Sequence, residues 1–336
     1  MTGLALGASP TLLEACAAGG TSSSPSKPGS IRSFSFAYAE PHTTVDGFIA
    51  DTFAQKLQEL SGGSIQLVQY GNATLGQEQD TDVKLLSGDI DFALSATANL
   101  TVVAPEAGVL SLHYIFKDEN HMVKSMSDPK INELFAKMVA DKTQGALSLG
   151  LFTSGFRNVY AKQVVNSIGD IKGKKMRVQA SKTEDAFFNA YGAVAIHMPL
   201  GQVYTSIQTG VVQMAETIPD GYVQFKFYEV CPVMSATQHE VDNFHLGMSK
   251  KTWDSLNSQQ KTWVKDAFAY MQPLAIKKAL DLGQEAITKI NSLGAKFNTS
   301  VDKSGFEQIA KPLQDSLATS LGPTAVQLLQ MIRQLG

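Results

Sequence analysis

From Ser258 to about Asn291 the chain is an almost unbroken run of helix formers, studded with Trp263, Val264, Ala267, Phe268, Met271, Leu274, Leu282, Ile287 and Ile290. At 1.5 Å per residue, positions 258–291 span roughly 50 Å, more than a single small lobe is wide. Pro273 lies inside this stretch and predicts a kink, because proline brings no amide hydrogen to the helical ladder. So long a helix needs a long surface to lie on. It reads as a brace across two lobes, and it constrains the fold more than any other feature of the chain.

The remaining residues must supply those lobes. The composition permits it: 43% of the 336 residues are apolar and 18% charged, enough to bury one or two cores. With 28 Lys and Arg against 31 Asp and Glu, the formal net charge is −3, which lacks the basic excess of a nucleic-acid binder. No run reaches the roughly 18 apolar residues a membrane-spanning helix requires.

Between the leader and the long helix, strand-like and helix-like segments alternate. Ile31 to Tyr38 alternates with period two and predicts a strand. A helix capped at Thr43 or Thr44 and running to about Ser61 carries Val45, Phe48, Ile49, Phe53, Leu57 and Leu60 on one stripe. Ser64 to Tyr70 is the next strand. Then come a helix from Gly76 to about Leu86 with Gly88 as its C-cap, and a short strand, Asp91 to Ser95. This β-α-β-α-β order implies a parallel sheet with helices on its faces. After a helix over 129–142, the alternation restarts. Strands are expected at 147–153 and 158–161, flanking Gly155-Phe156-Arg157, and again at 175–179. A helix over 181–191, a helical stretch over 199–209 and an extended segment over 211–216 follow, and helices over 303–321 and 323–335 end the chain. The expected fold is α/β, with a mixed sheet and flanking helices in each of two lobes bridged by the long helix. Lobe I comprises 31–153 plus about 245–275, and lobe II 154–244 plus about 276–336.

Residues 1–30 differ in kind. Met1 to Leu13 is apolar and uncharged, and Ala17 to Ser30 has the small, polar Gly/Ser/Pro composition of a tether. Together they resemble the end of a secretory signal, although the cationic start is missing. Leu13-Glu14-Ala15-Cys16 also resembles a lipoprotein box with Cys16 as the lipidated residue, Glu14 being its departure. The expectation is an exported, periplasmic protein, with a lipid anchor at Cys16 as an alternative to a plain signal. A disordered tail with a stray thiol is the competing reading.

No catalytic signature is present: no G-x-S-x-G, no phosphate-binding G-x-x-x-x-G-K-[ST] and no dinucleotide fingerprint. Cys16 and Cys231 are the only cysteines, and the six histidines include no H-E-x-x-H, so no metal site and no cofactor are expected. Asn-x-Ser/Thr triplets at Asn72, Asn99 and Asn298 read as coincidence in a Ser/Thr-rich chain.

Two arginines stand out. Arg157 follows a strand and a glycine turn in T-S-G-F-R-N-V-Y, and Arg177 sits within an otherwise apolar strand, Met176-Arg177-Val178. A guanidinium there either faces water beside an acidic partner or is aimed into a cleft, where its fork matches a carboxylate bidentately. Left buried without an anion it would cost several kcal/mol.

The segment from Arg157 to Glu216 resembles the second lobe of the solute-binding proteins of TRAP (tripartite ATP-independent periplasmic) transporters. The matching residues are G-F-R-N-V-Y, S-I-G-D-I-K-G-K-K-M-R-V-Q and G-A-V-A-I-H-M-P-L-G-Q-V-Y-T-S-I-Q-T-G-V-V-Q-M-A-E-T. L-G-Q-E around Glu78, S-G-D-I-D-F from Ser87, I-F-K-D-E-N-H from Ile115, F-Y-E-V from Phe227 and S-K-K-T-W-D-S-L from Ser249 agree with it in order and spacing, from about residue 31 to the end. The resemblance implies a non-enzymatic receptor closing on a small organic acid, a sugar monocarboxylate first among them, and passing it to membrane permease subunits. It also implies a monomer. Arg177 matches the arginine that pairs with the ligand carboxylate, and Arg157 a second arginine of the cleft. Thr217 stands where many members carry Asn, Leu200 where some place an aromatic, and His113 where a proline is usual.

From lobe I, the strand-end loops holding Tyr38 and Glu40, and Ser95 and Thr97, are expected to supply hydroxyls and a carboxylate, since ligands of open α/β sheets sit at carboxyl-terminal strand ends. Ser95 and Thr97 serve equally well as caps of a following helix, and Glu78 as a partner of its helix dipole. Two other readings stay open. One is an enzyme in which Arg177 orients a carboxylate substrate and Glu216 or His197 is the base. The other is the sensor module of a signalling system.

Overall fold

The computed structural model describes residues 31–336; the expected leader, tether and Cys16 lie outside the described residues. Nine strands are β1 (Arg32–Ala37), β2 (Ile65–Tyr70), β3 (Phe92–Ala96), β4 (Ala146–Ala161), β5 (Lys175–Val178), β6 (Val194–His197), β7 (Met214–Thr217), β8 (Val233–Ser249) and β9 (Lys296–Asn298). They form one mixed sheet in the order β2-β1-β3-β8-β4-β7-β5-β6, with β9 beside β8. The β1/β2, β1/β3, β5/β6 and β5/β7 pairs are parallel, as right-handed strand–helix–strand crossovers require, and so is β8/β9, while the β3/β8, β4/β8 and β4/β7 pairs are antiparallel.

The first of these crossovers is well specified locally. Thr44 Oγ1 accepts from the Asp46 amide and caps the helix Val45–Leu60, whose Val45, Ile49, Phe53 and Leu57 bury against Phe36 and Phe92 of the sheet. Gly88, at φ +74°, ends the helix Glu78–Ser87 in the left-handed conformation that glycine adopts without strain.

Two long strands hold the sheet together. The strands expected at 147–153 and 158–161 are a single strand, β4, of 16 residues, with register shifts between Thr153 and Phe156 and between Arg157 and Val159. The glycine turn is therefore a bulge that bends β4 without ending it. Its partner β8, 17 residues long, pairs with β3 through Phe244–Met248 and with β9 through Val233–Ser235. No strand is apparent in the sequence of this region, because Gln238, Glu240, Asp242 and Asn243 interrupt the apolar pattern there.

The long helix runs from Ser258 to Ile290 with Pro273 inside it. Val264, Ala267, Phe268, Met271, Ala275 and Ile276 pack into one core with Phe53, Phe152 and Phe244, while Ile290 belongs to another with Tyr160, Tyr222 and Phe227. A single helix thus serves two cores, as expected. Gly150 marks its closest approach to β4: at φ +155°, a Cβ there would lie 2.3 Å from a Phe268 ring carbon. Among the described residues no helix is long and apolar enough to cross a membrane.

Candidate functional site

The carboxyl-terminal ends of β1, β3, β5 and β7 carry Tyr38–Glu40, Ser95–Thr97, Arg177–Gln179 and Thr217, and β4 and β8 add Arg157, Glu240 and Asp242 beside them. Alternation along β5 sends Met176 and Val178 into a core and leaves Arg177 on the opposite face. The β4 bulge re-aims Arg157 onto the acidic stretch of β8.

Both arginines are buried, and they are not equivalent. Arg157 sits among three carboxylates. Its Nε pairs with Glu216 Oε2 and lies 3.4 Å from Glu240 Oε2, Nη1 is 2.8 Å from Asp242 Oδ1, and Nη2 donates to the Glu216 carbonyl at 3.1 Å. Arg177 has one carboxylate, with Nη1 3.3 Å from Glu216 Oε1, and Nε donates to the Met198 carbonyl at 3.0 Å. Its Nη2 has no protein partner among the described residues. Burial works against both charges. At Arg157 the attraction of Asp242, Glu216 and Glu240 outweighs it and the pKa rises well above the usual arginine value. At Arg177 burial prevails over the attraction of Glu216, and repulsion from Arg157 adds to it, so the pKa falls. Arg157 is held by the protein's own anions, whereas Arg177 is a buried cation short of one.

A cavity of about 180 Å³ is lined by Glu40, Asn72, Gln77, Glu78, Gln79 and Asn99 and by Pro199, Leu200 and Phe225. Thr43 Oγ1 reaches Gln224 Oε1 at 3.3 Å, and Thr101 Oγ1 reaches the Ala180 carbonyl at 3.4 Å, so these segments touch. Neither arginine belongs to the cavity lining.

The acidic side is unusual for so buried a place. Glu78 Oε2 accepts from the Ala96 amide at 3.0 Å and from Asn99 Nδ2 at 2.6 Å; burial nevertheless pushes its pKa up to about 7. Burial, and then repulsion from Asp46, Asp242, Glu78 and Asp220, raises Glu40 as well. Asp46, in the first turn of its helix, is 1% exposed. Neither of its carboxylate oxygens makes a complete hydrogen bond, although the Glu40 amide points toward them, and burial followed by Glu78 and Asp242 raises its pKa. The hydroxyl of Thr97 and Oε1 of Gln179 are buried and unpaired too.

The expected site residues separate accordingly. Glu40 and Leu200 line the cavity, while Arg177, Thr97 and Thr217 are buried outside its lining. Arg157 is bound within the ionic cluster. Ser95 Oγ donates to Asp82 Oδ2 at 2.8 Å, and the Tyr38 hydroxyl bonds His42 Nδ1 at 2.8 Å and Gln69 Oε1 at 3.3 Å, so both hydroxyls are engaged within the protein. Asp46, Gln179, Glu240 and Asp242 are not apparent from the sequence, the last two because they interrupt the apolar pattern of their strand. As a base, Glu216 is poorly placed, because each of its oxygens faces an arginine. His197 is exposed at the surface, 2.7 Å from Asp185.

The family model described as bacterial extracellular solute-binding protein, family 7, matches residues 36–320. A solute-binding protein of Chromohalobacter salexigens is 31% identical over 280 residues, covering 82% of this chain and 81% of that protein. A TRAP periplasmic solute-binding protein of the same organism, solved with bound D-glucuronate, is 28% identical with a TM-score of 0.84, over 90% of this chain and 100% of that one. Another, from Xanthobacter autotrophicus Py2 with bound β-D-galacturonate, is 26% identical, also at a TM-score of 0.84, over 90% and 99% of the two chains.

Proposed function

The chain belongs to the bacterial extracellular solute-binding proteins of family 7, and on that premise we propose that it captures a hexuronate or a closely related sugar acid in its cleft and hands it to the permease subunits of a TRAP transporter. The observation that carries the reading is the charge deficit at Arg177: a buried guanidinium with one shared carboxylate and a free Nη2. A ligand carboxylate supplies the missing anion through a charge-assisted bond of roughly 1.5–3 kcal/mol. The acidic wall is the second half of the argument. Asp46, Glu40 and Glu78 offer acceptors, and the hydroxyls of a sugar are donors at just the atoms a simple fatty or dicarboxylic acid cannot satisfy. The relatives solved with glucuronate and galacturonate support the same class.

Capture proceeds by closure. Lobe I (31–153 with about 245–275) and lobe II (154–244 with about 276–336) part at the bulge around Gly155, and the ligand favours the closed state by its contacts to both sides. Thr43–Gln224 and Thr101–Ala180 latch that state. The receptor works as a periplasmic monomer, freed by signal cleavage or held at the membrane through a lipidated Cys16.

Calorimetry with D-glucuronate and D-galacturonate, followed by recovery of the ligand, tests the reading. Stoichiometric binding with the sugar acid returned unchanged is the expected result. Absence of binding to both hexuronates overturns the substrate class, and a chemically altered ligand overturns the receptor mechanism.

A further inference from the structure

Behind the arginines lies a second group of buried polar residues that solute capture does not use. His113 follows the short 3-10 helix Pro105–Ser111, Glu184 lies in the helix Lys182–Ala190, and His239 and Glu240 are consecutive on β8. All four are buried, and one donor atom each from His113, His239 and Glu240 lies within 4.8 Å of the others. His113 Nε2 is also 3.3 Å from Glu184 Oε2.

The orientation of the two imidazoles is the telling feature. His113 Nδ1 is engaged by the Tyr191 hydroxyl at 2.9 Å, and His239 Nδ1 by Thr237 Oγ1 at 2.8 Å. Each ring is thereby fixed through its outer nitrogen, the arrangement by which ligating histidines are held ready. His239 Nε2, Glu240 Oε2 and Glu184 Oε1 make no hydrogen bond, although Glu240 Oε2 lies 3.4 Å from Arg157 Nε. Phe187, stacked on His113 with ring centroids 4.2 Å apart, and Phe188 close the site to water. Beside each histidine stands a non-glycine residue in the left-handed region, Tyr114 at φ +57° and Gln238 at φ +44°. Such strain persists only where the surroundings over-determine it, as they do at functional sites.

Charge points the same way. Arg157 is the one arginine in contact with Glu216, Glu240 and Asp242 together, and Glu184 touches no arginine or lysine among the described residues, so behind the arginines carboxyls outnumber cations. Lys303, the nearest further cation, is drawn off to Gln238 Oε1 at the surface, and Asp185 is paired with His197.

We infer that His113, His239, Glu240 and Glu184 form a buried site for a divalent transition ion of the zinc class. Two imidazoles and two carboxylates are a ligand set that zinc accepts, and its two charges meet the deficit. Donors of a tetrahedral zinc set stand about 3.4 Å apart, so the carboxylates swing inward by side-chain rotation to complete it. The ion ties the segment after residue 111, the helix Lys182–Ala190 and β8 into one block against the arginine cluster, and it acts as a staple of the cleft floor rather than as a contact to the solute. The competing account fills the deficit with protons on two of the carboxyls.

Cobalt(II) distinguishes the two. Because His42 and His197 are exposed beside Asp51 and Asp185, both are first changed to Gln in every protein used. The full chain is then unfolded with a chelator present and refolded with cobalt chloride, since the site has no open entry. The expected result is one cobalt per chain with the intense visible absorption of a four-coordinate ion and a raised Tm. Loss of a residue that hydrogen-bonds a metal ligand weakens metal binding by about 10–100-fold, and loss of a ligand by more. His239→Gln and Glu240→Gln are therefore expected to abolish the absorption, and Thr237→Val to weaken it. Should His239→Gln fail to refold, Glu184→Gln and His113→Gln carry the same test. No stoichiometric cobalt, a weak six-coordinate spectrum, or binding unchanged in these variants overturns the site and leaves the protonated cluster.

Discussion

Arg177 Nη1 lies 3.3 Å from Glu216 Oε1, while the other oxygen of that carboxylate is taken by Arg157. One acid therefore orients two cations of unequal standing. Arg157 has Glu240 and Asp242 besides, and Arg177 has only the Met198 carbonyl besides. A buried ion pair is weak evidence for stability, but an unbalanced one is an address for a charged ligand.

Arg177→Ala is expected to reduce hexuronate affinity by more than about 100-fold, given 1.4 kcal/mol per decade and a lost charge-assisted bond worth about 3 kcal/mol with desolvation. The fold survives, because Glu216 keeps Arg157. Arg177→Lys weakens binding as well, since the fork is lost. Calorimetry with circular dichroism as the control checks both, and near wild-type affinity in Arg177→Ala would sink the carboxylate anchor.

Arg157→Met has the opposite signature. Removing the cation leaves Glu216, Glu240 and Asp242 facing one another in a buried site, an uncompensated state that costs about 3–5 kcal/mol. Urea denaturation measures it. A stability within about 1 kcal/mol of wild type contradicts the structural role assigned to this residue.

Asp46→Ala removes two acceptors that have no complete hydrogen bond in the protein. Sugar-acid affinity is expected to fall about 10–100-fold, in line with one or two hydrogen bonds to a charged group, while folding stability holds or improves. The same variant loses selectivity for hexuronates over an unhydroxylated acid of similar length. Equal losses for both acids count against a role in hydroxyl recognition.

The pKa of Glu78, pushed up to about 7 from 4.5, sets a pH dependence with a definite sign. Its folded form holds a proton that the unfolded chain releases near pH 4.5, so its contribution to stability is complete below that value and is lost as pH rises toward 7. Glu78→Gln keeps the acceptor for Ala96 and Asn99 without the charge. The ligand-free variant is expected to match wild type at pH 5 and exceed it at pH 8 by up to about 3 kcal/mol, at 1.36 kcal/mol per unit. Calorimetric unfolding at the two pH values decides; equal stability at pH 8 removes the buried-charge account.

The fold was legible where local pattern and tertiary role coincide. Thr44, Gly88, Pro323 and the stripe of Val45 to Leu57 mark their helices because caps and amphipathic faces are short-range signals. The two arginines were legible for the same reason, as charges set in apolar surroundings. β8 was not, since its Glu240 and Asp242 are stable inside only through Arg157, more than eighty positions away in sequence. Nor could spacing show that the Ser95 hydroxyl turns to Asp82 and that of Tyr38 to His42. An acceptor without a partner, such as Asp46, is visible only once every neighbour is in place.

β4, β8 and the helix Ser258–Ile290 each pass from one core to the other. No cut through the chain yields a half that keeps its own sheet and its own covering helix. Heat or denaturant therefore has no intermediate to populate: the cores melt together, in one cooperative transition whose calorimetric and van't Hoff enthalpies agree.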